Sequence, residues 1–214
     1  MENAVLLLPA YGLIHRPHID SLIAAGCDTI YLHNSACIDQ ARCLLVQRGL
    51  ESNKDVFVFV DSDISFTKQD LLQLVKDCND TKEIVTGIYV SKYGNNQMVL
   101  TVAPGVTTQR DDGLLPINAC GMGFCAIHRN ALQKIAGQMD RVKLPTGEET
   151  EDIYPFYFPM ILDGLWLGED YSFCQRAKEA LVTIYLNHTI QVTHWGMRPH
   201  KFDPTKPQGV QKAS

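Results

Sequence analysis

The sequence predicts an α/β fold, with a mainly parallel central sheet flanked by helices. Three observations carry this expectation. Strand and helix signals alternate through the first half of the chain. The opening strands are continuous apolar runs, the pattern of strands buried on both faces. No internal repeat, low-complexity tract or Gly/Ser linker divides the 214 residues.

Ala4–Leu8 (AVLLL) is the first expected strand, ending at Pro9 in a loop that carries Tyr11, Gly12 and His15. Pro17–Ala25 follows as a helix, with Ile19, Leu22 and Ile23 on one face. Thr29–Leu32 (TIYL) is the second strand. Ile38, Ala41, Leu44 and Leu45 recur at helical spacing, which predicts a helix over Ile38–Gly49. Asp55–Val60 (DVFVFV) is the strongest strand in the chain. Thr67 and Asp70 form a capping box that opens a helix with Leu71, Val75 and Cys78 inward. Glu83–Val90 is the next strand. This β-α-β-α-β-α-β order argues for parallel strands joined by right-handed crossovers.

The pattern then loosens. Met98–Val102 and Pro116–Ile127 read as strands and Asn130–Met139 as a helix, while Arg141–Leu167 is irregular. Gly168–Leu181 is a clear helix with Phe173, Cys174, Ala177, Ala180 and Leu181 as its apolar stripe. Val182–Leu186 and Thr189–Thr193 are short strands, and from Met197 the tail is polar and aperiodic.

Composition narrows the function. With 45% apolar residues the chain can bury a core, and 19 basic against 24 acidic residues give a net charge of −5. Broad nucleic-acid binding is disfavoured, because it needs a basic face to neutralise phosphates. A small basic pocket is still allowed. Seven cysteines without CxxC or zinc-ribbon spacing fit a reducing, cytoplasmic setting. The start MENAVLLLPAYG lacks the basic and cleavage signals of a signal peptide. The apolar stretch Ile153–Leu167 is broken by two prolines and Asp163. It is also shorter than the roughly 18 to 20 residues of a spanning helix, so no transmembrane segment is expected.

Four features bear chemistry. Asp61-Ser62-Asp63 follows the strongest strand, and ligands of open α/β sheets bind beyond the carboxyl ends of strands. In an extended segment residues i and i+2 project to one side, so both carboxylates converge on one hard cation. The other reading is a turn that caps the next helix. Glu169-Asp170 opens the late helix. Asp170 falls on its inward stripe, placed to act as a base or to accept from hydroxyls, whereas Glu169 is expected to face outward and complement the helix dipole. His194 ends the last strand as a metal ligand or a structural histidine, with His188 and His200 as rivals. Gly121 and Gly123 flank Met122 inside an apolar run, which marks a bulge or close approach of backbone to a ligand. No GxGxxG follows the first strand and no Walker A loop is present, which disfavours Rossmann hydride transfer and P-loop chemistry.

In this order the four features resemble the core of GT-A glycosyltransferases: a DxD motif, a glycine loop, an xED motif and a C-terminal histidine. The resemblance spans roughly Val5 to Gly196. It is closest to small single-domain proteins of bacteria and phage, whose segments are similar to IDQARCLLVQ, VDSDISF, TGIYVSK and GEDYSFCQRA here. It implies a metal-dependent transferase that moves a sugar from a nucleoside diphosphate sugar, most commonly a UDP-sugar, to an acceptor hydroxyl. Asp63 would bind Mn2+ or Mg2+, with Asp61 on the ribose, the donor sugar or metal-bound water, and His194 would complete the metal site. Ser62 and Gly121 would line the donor site. Asp170, beside Glu169, would face the acceptor. Arg42 would lie near the donor, although Cys43 stands where similar sequences often have Asn. Pro9, Ala10 and Tyr11 match the position that holds the nucleotide base.

The tail, residues 197–214, carries Arg198, Lys201, Lys206 and Lys212 against Asp203. It is either a lid over the diphosphate, with Lys201 on a phosphate, or a solvated end. The domain expectation is one catalytic unit over 1–196, with a nucleotide-sugar half (1–95) and an acceptor half (96–196). Tyr154, Phe156, Tyr157, Phe158 and Trp166 offer an acceptor platform or core packing. The acceptor is a glycan, a glycoconjugate or a modified base. The rival readings are a sugar-nucleotide nucleotidyltransferase and a non-catalytic nucleotide- or carbohydrate-binding module on the same fold.

Overall fold

The computed structural model describes residues 2–12, 14–33, 35–92, 96–102 and 110–206. The first half forms β1 (Ala4–Ala10), α1 (Arg16–Ala25), β2 (Thr29–His33), α2 (Ile38–Glu51), β3 (Val56–Val60), β4 (Ile64–Ser65), α3 (Lys68–Thr81) and β5 (Ile84–Ile88). Next come β6 (Leu100–Thr101), β7 (Leu115–Ile117), β8 (Ala119–Cys120), β9 (Phe124–His128) and α4 (Arg129–Ala136). Two hairpins follow, β10 (Val142–Thr146) with β11 (Glu149–Ile153) and β12 (Met160–Leu162) with β13 (Leu165–Leu167). The chain closes with α5 (Glu169–Glu179), β14 (Ile184–Gln191), β15 (Thr193–Trp195) and β16 (Pro199–His200).

The central sheet has seven strands in the order β2-β1-β3-β9-β5-β14-β7. Strands β2, β1, β3, β5 and β14 share one direction, so the sheet is mostly parallel; β9 and β7 oppose it. Leu7, Phe57 and Phe59 enter one apolar cluster, with residues of α2, α4 and α5. Leu6, Leu8, Val56, Val58 and Val60 enter the other, with residues of α1 and α3. Helices therefore cover both faces, and this is why β1 and β3 are apolar at every position. The Thr67–Asp70 capping box forms with both of its reciprocal hydrogen bonds.

Several expectations change. Strand β9 inserts antiparallel between β3 and β5, so these two strands are not neighbours. Pro116–Ile127 splits into β7, β8 and β9, interrupted by the glycine loop, and Met98–Val102 shrinks to β6. Arg141–Leu167 is not irregular, because it holds both hairpins. Val182–Leu186 and Thr189–Thr193 resolve into β14, with a register shift between Leu186 and Gln191, and the separate β15. Strand β1 runs through Ala10, because Pro9 and Ala10 pair with Leu32 and His33 of β2.

Helix α1 packs Leu22 against the core as expected, but not Ile19 and Ile23. His18 and Ser21 are buried, while Ile23 is 74% exposed and Ile19 is also exposed. The reason is polar. His18 Nδ1 donates to the Ile64 carbonyl at 2.9 Å, and Ser21 Oγ accepts the Phe66 N–H at 3.0 Å. Backbone groups of the short segment around β4 require these partners, and α1 supplies them directly beneath the turn that carries Asp61 and Asp63.

Candidate active site

Strand β3 delivers Asp61 to the carboxyl edge of the sheet. There the chain turns instead of extending. The Asp61 N–H donates to the Gly123 carbonyl (3.0 Å) and the Ile64 N–H to the Asp61 carbonyl (2.9 Å). The Ser62 carbonyl takes the His15 N–H at 3.3 Å. Because the segment is a turn, the i, i+2 argument for convergence fails. Asp61 turns to Arg42, and Asp63 turns to Lys92 and His194.

Arg42 is the centre of the first cluster. Its side chain is only 3% exposed, and its guanidinium carbon lies 5.3 Å from the Phe59 ring centroid. Nη2 donates to Asp61 Oδ1 at 3.1 Å and Oδ2 at 3.3 Å. Nε lies 3.7 Å from Asp170 Oδ1 and 4.0 Å from Glu169 Oε1. Glu169 therefore leans inward, contrary to the outward placement expected of it, because the buried guanidinium draws it. Cys43 points the other way, its Sγ receiving the Tyr157 N–H at 3.4 Å. Three carboxylates surround one cation, which leaves excess negative charge in a half-buried space. Burial pushes Asp170 upward, with Arg42 opposing and Glu169 and Asp61 adding, so that it titrates at about 7. Arg42 Nε and Nη1 and Asp170 Oδ1 are buried without hydrogen-bond partners. Such orphaned groups are the ones a ligand would satisfy.

The second cluster is assembled by a three-stranded sheet, β16-β15-β4. His194 pairs with Ile64 and Thr193 with Ser65, and the Trp195 N–H donates to the Asp63 carbonyl at 2.7 Å. This brings His194 Nε2 to 3.5 Å from Asp63 Oδ1. His194 Nδ1 lies 2.8 Å from the Val90 carbonyl. A carbonyl only accepts, so Nδ1 carries a proton and Nε2 is the nitrogen that faces the carboxylate. Lys92 Nζ bonds Asp63 Oδ2. Burial resists ionisation of Asp63, but His194 and Lys92 outweigh it and hold the carboxyl down at about 2.

Asp63 Oδ1 is buried without a hydrogen-bond partner. An orphaned carboxylate oxygen opposite an imidazole nitrogen is a pair of donor atoms that could hold a divalent cation, with the Val90 carbonyl orienting the histidine from behind. Among the described residues no group of three or more His, Cys, Asp and Glu side chains gathers for a metal. With Asp63 and His194 as its two protein ligands, a divalent ion held there would have to complete its shell from phosphates and water.

Tyr89 joins the two clusters. Its hydroxyl accepts the Gly123 N–H at 3.0 Å, and its ring meets His194 edge-on at 5.5 Å. A Cβ on Gly121 would lie 2.2 Å from the Tyr89 hydroxyl, and one on Gly123 would lie 3.3 Å from Asp61 Oδ2. Within the protein, then, the glycine loop makes room for Tyr89. Tyr89 and Lys92 were not singled out from sequence, although both lie in TGIYVSK.

Of the base-holding segment, Pro9 and Ala10 are buried in β1, and only Tyr11 is presented, 69% exposed. Phe156 and Tyr157 belong to the core, Tyr157 stacking on Phe173 at 4.6 Å. Trp166 is 72% exposed on β13, directly across from Ile161 on β12. That hairpin is pinned to α5 through Ser172 Oγ, which accepts from the Met160 N–H at 3.1 Å and donates to the Leu167 carbonyl at 3.0 Å. The tail folds back, with Asn96 donating to the Asp203 carbonyl (2.8 Å) and accepting its N–H (2.9 Å). Arg198, His200, Lys201 and Lys206 line a cleft of about 270 Å³ there. Lys212 and the rest of the expected lid, 207–214, lie outside the described residues.

No family model and no curated protein sequence matches the chain. Among solved structures it is similar to A197 from STIV, with a TM-score of 0.64 and 18% identity over 99% of this chain and 100% of that one. The likeness is one of fold. An apo UDP-glucose pyrophosphorylase superposes more loosely, with a TM-score of 0.43 and 11% identity over 79% of this chain and 59% of that one. Among the described residues no helix is long and apolar enough to cross a membrane.

Proposed function

We propose that the chain is a metal-dependent glycosyltransferase of GT-A type that moves a sugar from a nucleoside diphosphate sugar to an acceptor hydroxyl. The observation that carries this reading is the approach of His194 Nε2 to Asp63 Oδ1, in a chain that also holds a separate buried carboxylate, Asp170, pushed up to about 7. A cation seat next to a poised base is what transfer to a hydroxyl requires.

Asp63 and His194 would hold Mn2+ or Mg2+, and the bound ion would neutralise charge developing on the leaving diphosphate. Arg42 holds Asp61 and lies close to Glu169 and Asp170 at the start of α5, and Asp61 would face the donor. Asp170, whose carboxyl burial pushes upward, would take the acceptor hydroxyl's proton, the role of a base matched to its working pH. Tyr11 would cover the nucleotide base, and Lys201 would reach a phosphate. Trp166 offers a flat apolar face for an acceptor sugar ring.

The test is release of nucleoside diphosphate from UDP-glucose, UDP-galactose, UDP-N-acetylglucosamine and GDP-mannose, with and without Mn2+. Mn2+-dependent release from at least one donor, abolished in Asp63→Ala, is expected. Pyrophosphate release from a nucleoside triphosphate and a sugar phosphate would replace this reading with nucleotidyl transfer.

A further inference from the structure

We propose that Lys92 is a resident counter-ion of Asp63 that yields its place to a divalent cation and then turns to the diphosphate of the donor. This rests on reading Asp63 and His194 as the cation's ligands. Lys92 Nζ bonds one oxygen of Asp63 while the other faces His194 Nε2. The ammonium therefore balances the charge of the carboxylate through one oxygen, while the other is left without a hydrogen-bond partner. An ammonium and a divalent cation cannot share one carboxylate at close range without strong repulsion. The charge of an incoming ion at the other oxygen therefore weakens the hold of Asp63 on Lys92 and favours its release.

The surroundings let it leave. The Lys92 side chain is 43% exposed, so no packing holds its ammonium. Its stem lies along the backbone of residue 196, where a Cβ on Gly196 would touch Lys92 Cβ, Cγ and Cδ at 3.6–3.7 Å. This contact directs the side chain along the start of the tail. There Arg198, His200, Lys201 and Lys206 line the basic cleft, with Asp203 as its single acid. An anion drawn to that cleft meets Lys92 on its way out of Asp63. Metal entry and phosphate binding are thereby coupled through one side chain, each favouring the other.

The test uses the full chain without nucleotide sugar. Mn2+ binding, read from the electron paramagnetic resonance signal of free Mn2+, is compared for the wild type, Lys92→Met, Lys92→Arg and Asp63→Asn. Lys92→Met should bind Mn2+ about tenfold more tightly than wild type, Lys92→Arg about equally, and Asp63→Asn not measurably. Calorimetric titration with UDP at saturating Mn2+ should then show Lys92→Met binding about tenfold more weakly. Equal or weaker Mn2+ binding by Lys92→Met overturns the exchange and leaves the cation site standing. Absence of Mn2+ binding in both wild type and Lys92→Met overturns the cation site itself. Unchanged UDP affinity in Lys92→Met overturns the transfer of Lys92 to the diphosphate. Circular dichroism confirms that each variant is folded.

Discussion

His194 Nε2 stands 3.5 Å from Asp63 Oδ1, and the pairing of β15 with β4 sets that spacing through main-chain bonds. The histidine can therefore be changed without unmaking the geometry around it. In His194→Gln the fold should persist by circular dichroism, and Mn2+ affinity should fall by about 100-fold or more, given that losing even an orienting partner of a ligand costs 10- to 100-fold. Equilibrium dialysis against Mn2+ measures this directly.

Asp170 titrates at about 7 because burial disfavours its charge. Under the proposed function it is the base and works only when ionised, so kcat/KM should rise with pH through about 7 and level off above. Asp170→Asn should lower the rate by about 10²- to 10⁴-fold and flatten that limb of the profile. The stability consequence has the opposite sign. A carboxyl with a raised folded-state pKa favours the native state at low pH, and that benefit is lost as pH rises through about 7. Urea midpoints measured between pH 5 and pH 9 should therefore decline less in Asp170→Asn than in wild type.

Arg42 balances three carboxylates from a buried position. Arg42→Met would leave Asp61, Glu169 and Asp170 to repel one another. Breaking a buried ion pair costs about 3–5 kcal/mol, and urea unfolding should register a loss of that order at pH 8. The loss should shrink at pH 5, where Asp170 is protonated. A loss independent of pH would mean that packing over Phe59, not charge, is Arg42's main contribution.

Gly121 admits the Tyr89 hydroxyl where a Cβ would be 2.2 Å away. Gly121→Ala should cost about 1–3 kcal/mol, the usual range for forcing extra volume into a packed site. Part of that cost should disappear in a Tyr89→Phe background, since the nearest obstacle is then gone. A double-mutant cycle in urea reports the coupling.

Trp166 and Ile161 are both more than 70% exposed, on a hairpin fixed to the start of α5. Trp166→Ser should leave stability within about 0.5 kcal/mol, as surface changes generally do. Donor hydrolysis by water should be unchanged while transfer to an added saccharide falls, seen as a rise in the acceptor KM. Equal loss of both activities would exclude Trp166 from acceptor binding.

The candidate site was legible where chemistry sits at the end of an element. Asp61 and Asp63 follow a strand of unbroken apolar residues, Asp170 opens a helix whose stripe is plain, and His194 sits within the short strand β15 after the last strand of the central sheet. Their partners were harder to read. The direction of β9 is not written in FCAIH, because a uniformly apolar strand is compatible with either orientation of its neighbours. The inward face of α1 was misread at Ile19 and Ile23 because apolar spacing was weighed and the backbone donors and acceptors around β4 were not. The β12–β13 hairpin did carry a signal. Asp163-Gly164 lies between two apolar triplets, and both residues adopt positive φ, 51° and 79°. That dipeptide favours tight two-residue turns, but the apolar composition around it drew attention to membrane crossing instead.

The antiparallel insertion of β9 also governs when this molecule can be completed during synthesis. Strands β1, β2 and β3 hydrogen-bond among themselves, so a three-stranded seed is available early. In the central sheet β5 has no neighbour from the earlier chain: its partners β9 and β14 begin 40 and 100 residues after its first residue. Once residues to about 95 have left the ribosomal exit tunnel, Ile84–Ile88 would thus be exposed without a partner strand, a greasy ribbon in search of a mate. Chaperone occupancy should peak over that interval and decline once residues 124–128 clear the exit tunnel.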